Sequence, residues 1–325
     1  MTAFSSERSR RFAGPLIGAV IALGLLGAVV SIAGPSKVWQ LVRATDGPRL
    51  LLALVVSAGF LSARGLRLWL LVDRESFGWI RATLVAAVGQ GAALFAPLRT
   101  GELVLPWLLA RTTGRDLASG FGILLAARTL DLASLGIWCG FAVLVVWGLS
   151  EWLALVFSIA LLAPSILLPW TLAVAERLAV GFLAPRGMVG RRWTRRIRRV
   201  RRELQRLVHR PVRLVAAAVT SVVMWGLQWG VAWTLLVAMG HLWPPIEVAA
   251  GASIAAVANL LPFNLIGNLG TLEAGWTAAF NALGVPLQVA AATGLAAHLW
   301  GLAFAAFFAA IAWGVLSLSL KKGTS

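Results

Sequence analysis

The chain has 325 residues, of which 59% are apolar and 13% charged, and its mean hydropathy is +0.85. A soluble domain carries about a quarter charged residues and a disordered chain is poor in apolar ones. Both classes are excluded in favour of an all-α polytopic membrane protein. The 29 Lys+Arg against 12 Asp+Glu leave a net charge of +17; in a membrane protein this marks arginine-rich cytoplasmic loops facing anionic lipid, not nucleic-acid binding.

About 20 apolar residues cross a bilayer as a helix. The first such run, Pro15 to Ala33, follows Arg8, Arg10 and Arg11 and reads as an uncleaved span. Ser31 and Ala33, small residues at cleavage-like positions, make a signal peptide the alternative. A second span runs from Leu50 to Val72 and carries Arg64 and Arg67 near its end. Those two arginines are expected to snorkel to the headgroup interface or to meet a lipid phosphate. Lys37, Arg43 and Arg49 fall in an outside loop on this topology, against the positive-inside trend.

An interrupted segment follows. The apolar run from Ala82 to Ala96 meets Pro97-Leu98-Arg99-Thr100-Gly101-Glu102, resumes to Ala110 and stops at Arg111 to Asp116. Each half is too short to span, and Pro and Gly break the helix between them. The segment is either one kinked span or a re-entrant hairpin over 82–113. Spans over about 117–147 and 152–175 come next, then a basic stretch from Arg186 to Arg213. Within it Trp193, Ile197, Val200, Leu204 and Leu207 are spaced four, three, four and three apart. That spacing predicts a basic amphipathic helix lying on the cytoplasmic surface, which fixes orientation and also recruits anionic lipid on a second reading.

The second half repeats the pattern. A span over 214–239 precedes a second interrupted segment, 246–283, broken between Pro262 and Gly270, and a last span, 287–318, ends at Lys321 and Lys322. Glu102 precedes Gly114 by 12 residues and Glu273 precedes Gly284 by 11; Arg128 and His298 each follow those glycines by 14. We therefore expect one membrane domain over 1–325, about six full spans, and two repeats, 50–147 and 214–318, each containing a re-entrant hairpin. With the N-terminus, the 186–213 stretch and the C-terminus all cytoplasmic, the two repeats are inverted, an architecture common in transporters.

Ionisable groups at membrane depth are costly and usually mark function. Glu102, Asp131 and Glu273 lie among apolar residues, with Arg99, Arg128 and His298 as candidate basic partners. Arg128 and Asp131, three apart, share a helix face. Glu102 and Glu273 each open a half-helix, where a carboxylate also serves as a cap. Asn264, Asn268, Asn259 and Gln90 add hydrogen-bonding groups at the breaks, and the two breaks are expected to meet near the midplane, since irregular backbone in a membrane must be buried in protein or line water. The single cysteine, Cys139, forms no internal disulfide, and His209, His241 and His298 lack metal-ligand spacing. No nucleotide-binding loop, metal site or cofactor is expected.

Pro97-Leu98-Arg99-Thr100-Gly101-Glu102, with Gly114 and Ala127-Arg128-Thr129-Leu130-Asp131, resembles the P-x-R-x-G-E … G … R-x-x-D pattern of the lysylphosphatidylglycerol synthase transmembrane region, a flippase-like integral membrane family. Leu261-Pro262 through Gly267-x-x-Gly270-Thr271-x-Glu273, with Gly284-Val285, resembles its second signature. The likeness covers roughly residues 15–317. It implies a protein that moves or handles lipid: the best-known members flip aminoacylated phosphatidylglycerol, and others accompany hopanoid or polyprenyl-glycan pathways. The soluble synthase domain is expected to be absent, and His298 stands where many relatives carry Arg.

The resulting expectation is a lipid translocase of the inner membrane and not an enzyme. Arg99, Arg128 and His298 would attract an anionic headgroup, while Glu102, Asp131 and Glu273 organise those bases or bind the ammonium of a zwitterionic lipid. The partners expected are a membrane lipid and a lipid-pathway protein. The alternatives are an accessory or scaffold subunit of a lipid pathway, or a lipid-modifying enzyme using Glu102 and Glu273 as acid and base.

Overall fold

The computed structural model describes residues 20–72, 77–146, 151–183, 185, 187–260 and 265–322. In chain order the helices are α1 (Val20–Ala33), α2 (Pro35–Arg43), α3 (Gly47–Val72), α4 (Trp79–Phe95), α5 (Val104–Thr113), α6 (Leu117–Val145), α7 (Glu151–Leu178), α8 (Gly187–Val208), α9 (Pro211–Ala238), α10 (Pro245–Ala258), α11 (Thr271–Ala282) and α12 (Leu287–Lys322). Short 3₁₀ segments, Pro97–Leu103 and Ile266–Asn268, occupy the two breaks. The boundaries follow local chemistry. Pro35, Pro211 and Pro245 open helices, where the missing N–H costs nothing. Asp116 caps α6 by accepting the Ser119 N–H at 2.8 Å.

Among the described residues, four helices are long and apolar enough to cross a membrane: α3, α6, α9 and α12 over Leu287–Ser319. The count becomes five if α1 and α2, bent by 71° where they meet, form one broken span. The described residues thus give four or five such spans beside the six expected. The stretch expected over 152–175 lies in α7, one helix of 28 residues. The outside loop expected around Lys37 and Arg43 is instead the helix α2, which buries none of its residues. Gly34 at φ 75 supplies the corner and Pro35 restarts the helix.

The chain forms two compact units. The first contains Met1–Ser57, Gly91–Gly101 and Trp229–Phe307. In it Val29 and Ala33 of α1 bury against Ala291, Ala292 and Leu295 of α12, with Val38 and Leu41 of α2 packed on them. Helix α11 folds back along α10, so that Phe280 covers Gly251 and the Ala255–Ala258 turn covers Gly275. Phe280 stacks on Trp276 with ring centroids 4.3 Å apart and meets Trp243 at 5.1 Å.

The second unit contains Ala58–Gln90, Glu102–Gln228 and Phe308–Ser325. Its core joins Leu68, Leu71 and Val72 of α3 to Val85 of α4, Leu108 and Leu109 of α5, Ile123 of α6, Met224 of α9 and Leu316 of α12. Helix α6 packs on α7 through Gly136 and Gly140, a small-xxx-small pair that lets the backbones approach, and Ser158 donates to the Gly136 carbonyl at 3.1 Å. The basic helix α8 covers the ends of α6 and α7 and not a lipid face alone. It buries Gly190, Thr194, Glu203 and Leu207, leaving Trp193 of the apolar stripe 52% exposed. The stripe turns because Glu203 is drawn inward to pair with Arg115 and with Arg206, the latter at 2.9 Å. Arg199 reaches Asp116 at 2.6 Å, and Arg198 and Arg201 reach Glu176 at 2.9 and 2.7 Å.

Candidate functional site

Apart from the ion pairs of α8, ionisable side chains among the described residues gather at two places, one in each unit. In the second unit the centre is Asp131 of α6. Arg67 of α3, 2% exposed, donates to Asp131 Oδ1 and, at 3.3 Å, to Ser221 Oγ of α9. Trp225, one turn beyond Ser221, donates its indole N–H to the same carboxylate oxygen at 3.3 Å. The other oxygen, Oδ2, takes a 3.5 Å contact from Arg128 Nη1. Arg128 makes its tighter bond elsewhere: Nη2 lies 2.7 Å from Glu102 Oε1. Arg64, one turn before Arg67 and half-buried, lies within electrostatic range of Arg67, Asp131, Arg128 and Glu102. It has no hydrogen bond or ion pair among the described residues.

Three guanidinium groups thus meet two carboxylates, an excess of one positive charge. The cluster is graded. Arg67 and Asp131 are sealed, while the side chains of Arg128 and Glu102 are 40% and 25% exposed. Sealing matters because a buried pair is screened little and losing one partner strands the other charge. The interfacial position expected for Arg67 is replaced by this buried one. The sequence carries no sign of it, because Arg67 and Asp131 are 64 residues apart and Ser221 is 154 from Arg67.

In the first unit Glu273 occupies the first turn of α11. Its Oε2 accepts the Gly270 N–H at 2.7 Å, which is half of a capping box, since Gly270 has no side chain with which to reciprocate. Its Oε1 pairs with Nδ1 of His298 on α12. Only glycine suits position 270: φ is 114, and an added Cβ would lie 2.9 Å from the Ala22 carbonyl oxygen of α1. The break before it is tightened by Leu265 N–H to Leu269 O and Asn268 N–H to Leu265 O. Asn268 contributes backbone here, in the left-handed region at φ 58, which Asn tolerates better than most residues.

Of the site residues expected from sequence, Arg64, Arg67, Glu102, Arg128 and Asp131 come together in one unit, and Glu273 and His298 in the other. The side chain of Arg99 and all of Asn264 lie outside the described residues. Glu102 pairs with Arg128 across 26 positions, and Glu273 pairs with His298 across 25. In each half, then, an acid at or just after the break holds a base on a long helix that follows, Arg128 on α6 and His298 on α12. Ser221 and Trp225 are site neighbours that sequence reasoning missed; a serine and an indole one turn apart in an apolar run look like ordinary helix residues. Among the described residues, no group of three or more His, Cys, Asp or Glu is placed to hold a metal.

The family model described as the lysylphosphatidylglycerol synthase TM region matches residues 16–312, most of the chain. The chain belongs to this family. No curated protein and no solved structure matches it. As a member of the lysylphosphatidylglycerol synthase transmembrane-region family, with helices suited to crossing a bilayer, it is an integral membrane protein tied to membrane lipid. Both signature stretches of the resemblance fall within the matched residues, and the carboxylates at their ends, Glu102 and Glu273, are the ones held by Arg128 and His298.

Proposed function

We propose that this protein is a lipid translocase, and that the Arg64–Arg128–Glu102 edge of the unit-two cluster receives the phosphate of an anionic or zwitterionic headgroup. The observation that carries this reading is Arg64: a half-buried arginine without an ion pair among the described residues, in a cluster with one surplus positive charge. An unpaired charge in a membrane protein is expensive, and a phosphate supplies both the missing charge and the acceptor geometry that guanidinium groups favour. Arg128 is exposed enough to share that phosphate, and Glu102 holds it in place at 2.7 Å while remaining available to an ammonium group. Arg67 and Asp131, bound to each other, Ser221 and Trp225, serve as the fixed floor.

The parallel wiring of Glu102 to Arg128 and of Glu273 to His298 supports reading residues 50–147 and 214–318 as repeats. Their inversion, an inner-membrane location and cytoplasmic termini complete the proposed topology, in which the two repeats rock to pass a headgroup while acyl chains stay in lipid. The test is flip-flop in proteoliposomes carrying a headgroup-labelled phosphatidylglycerol or phosphatidylcholine, with the outer leaflet chemically quenched. Wild type should accelerate movement of at least one lipid. R64Q and R128Q should each slow it about 10–100-fold, the worth of a charge-assisted hydrogen bond to phosphate. A rate equal to protein-free vesicles across anionic, zwitterionic and polyprenyl lipids overturns the reading and leaves an accessory role in a lipid pathway.

A further inference from the structure

The two acid–base pairs differ in one chemical respect. Glu102 is held by an arginine, which never gives up its proton in a protein. Glu273 is held by a histidine, the side chain that titrates near neutrality. They also differ in access: the Glu102 and Arg128 side chains are 25% and 40% exposed, whereas Glu273 and His298 are 1% and 9% exposed. A sealed pair has no room for a headgroup, but a proton needs none.

Among the described residues, the pair stands apart from other charge. Helix α1 and the 229–238 stretch carry no ionisable residue, Glu273 is the one ionisable residue of α11, and His298 that of the 287–307 stretch of α12. The other charged groups described in this unit are engaged or distant. Lys37 donates to Gln288 at 2.6 Å, Arg43 lies over the Trp39 ring at 4.7 Å, and Asp46 accepts the Arg49 N–H at 2.9 Å. Arg49 reaches the Val237 carbonyl at 3.4 Å, and His241 sits beside Trp243 with centroids 5.2 Å apart. Glu247 stands one turn before Gly251, at the Phe280 end of α11 and away from Glu273.

Both oxygens of Glu273 are used, by the Gly270 N–H and by His298 Nδ1. The remaining nitrogen, His298 Nε2, has no partner among the described residues, and the ring keeps a small exposed edge. Nε2 is therefore where a proton arrives. With Nε2 empty the pair carries one negative charge, held by the Gly270 N–H and the α11 N-terminus. With Nε2 protonated, the imidazolium donates through Nδ1 to the carboxylate and the pair is neutral.

We propose that Glu273 and His298 form a proton-binding site, so that the proton is a second ligand of this protein, and that it is the ion coupled to lipid movement. The coupling half of this statement rests on the translocase reading; the binding half does not. Uptake forms one N–H bond at Nε2 and release breaks it, with no other reactant.

The deciding measurement is ¹⁵N NMR of histidine-labelled full-length protein in nanodiscs, titrated between about pH 5 and 9. His209 and His241 are assigned by H209N and H241N, which leave the pair intact. His298 should gain a single proton within this range, and E273Q should move the midpoint. A His298 ring that keeps one protonation state across the range, or whose midpoint ignores E273Q, overturns the proposal. In proteoliposomes an imposed pH gradient should change the lipid rate of wild type, and H298R, which keeps the charge but cannot release it, should flatten that response. If His298 titrates as expected but no lipid moves under any gradient, the proton site stands and the translocase reading falls. If lipid moves and wild type ignores the gradient, the translocase stands and the coupling falls.

Discussion

Arg67 and Asp131, 64 positions apart in sequence, are bound to each other in the interior of one unit, with Ser221 accepting from the guanidinium and Trp225 donating to the carboxylate. The pair joins α3, α6 and α9, three of the long apolar helices. Desolvating two charges costs several kcal/mol each, and their attraction offsets this only when geometry and added hydrogen bonds are good. Here both conditions are met, so the pair acts as a joint whose value appears when it is broken.

Removing either partner should therefore be far worse than removing both. R67L or D131N alone leaves a buried charge and should cost about 3–5 kcal/mol, seen as a large loss of thermal stability in detergent. The double variant R67L/D131N should recover most of that loss. Additive single effects would mean that the two residues do not share an interaction.

The exposed partner pair predicts the opposite balance. Glu102 and Arg128 are 25% and 40% exposed, so solvent screens their attraction and E102Q should cost at most about 1 kcal/mol. Its effect should fall on lipid movement, most strongly for headgroups carrying an ammonium. An E102Q protein that melts early while moving every lipid at the wild-type rate would make Glu102 a structural brace instead.

The breaks were readable because proline and glycine act locally: Pro97, Gly101, Gly114 and Gly270 announce helix ends wherever the chain later goes. The Arg128–Asp131 contact was readable too, since the two are three apart on one helix; His298 was legible as a candidate base, but not that Glu273, 25 positions away, is the acid it meets. Arg67 was not. A basic residue near the end of an apolar run looks like an interfacial anchor until tertiary contact supplies its acid. Glu203 gave no signal for the same reason: one acid among many arginines has the composition of a solvated face, yet it is the residue α8 turns inward. Helix α2 was missed because a nine-residue segment with Pro35, Lys37 and Arg43 has the composition of a loop.

Position 270 offers a test of the second break. G270A would place a methyl group against the Ala22 carbonyl in a backbone conformation that L residues rarely adopt. The strain should cost about 1–3 kcal/mol and loosen the N–H that holds Glu273. G24A, on α1 where an added Cβ meets nothing within 4 Å, is the matched control. Comparable melting temperatures for the two variants would contradict the geometry described for the break.

Acid should release α8. Glu176 is held below its ordinary 4.5 by hydrogen bonds from Arg201 and Arg198. Asp116 is also lowered: burial raises it, but the Ser119 N–H and Arg199 outweigh that. A carboxylate whose pKa is depressed by folding contributes its stabilisation in full above the ordinary value, and loses it as pH falls through the folded one. Docking of α8 on α6 and α7 should thus be constant from neutrality down to about pH 5 and weaken progressively below the ordinary carboxylate range. Because these pairs are exposed, added salt should weaken docking at any pH. Hydrogen exchange of α8 amides, or a spin-label distance from α8 to the start of α6, would follow both. E176Q should mobilise α8 already at neutral pH and leave a shallower acid transition, carried by Asp116 alone. An α8 that stays docked in E176Q and at low pH would shift the weight to Glu203 and Arg115.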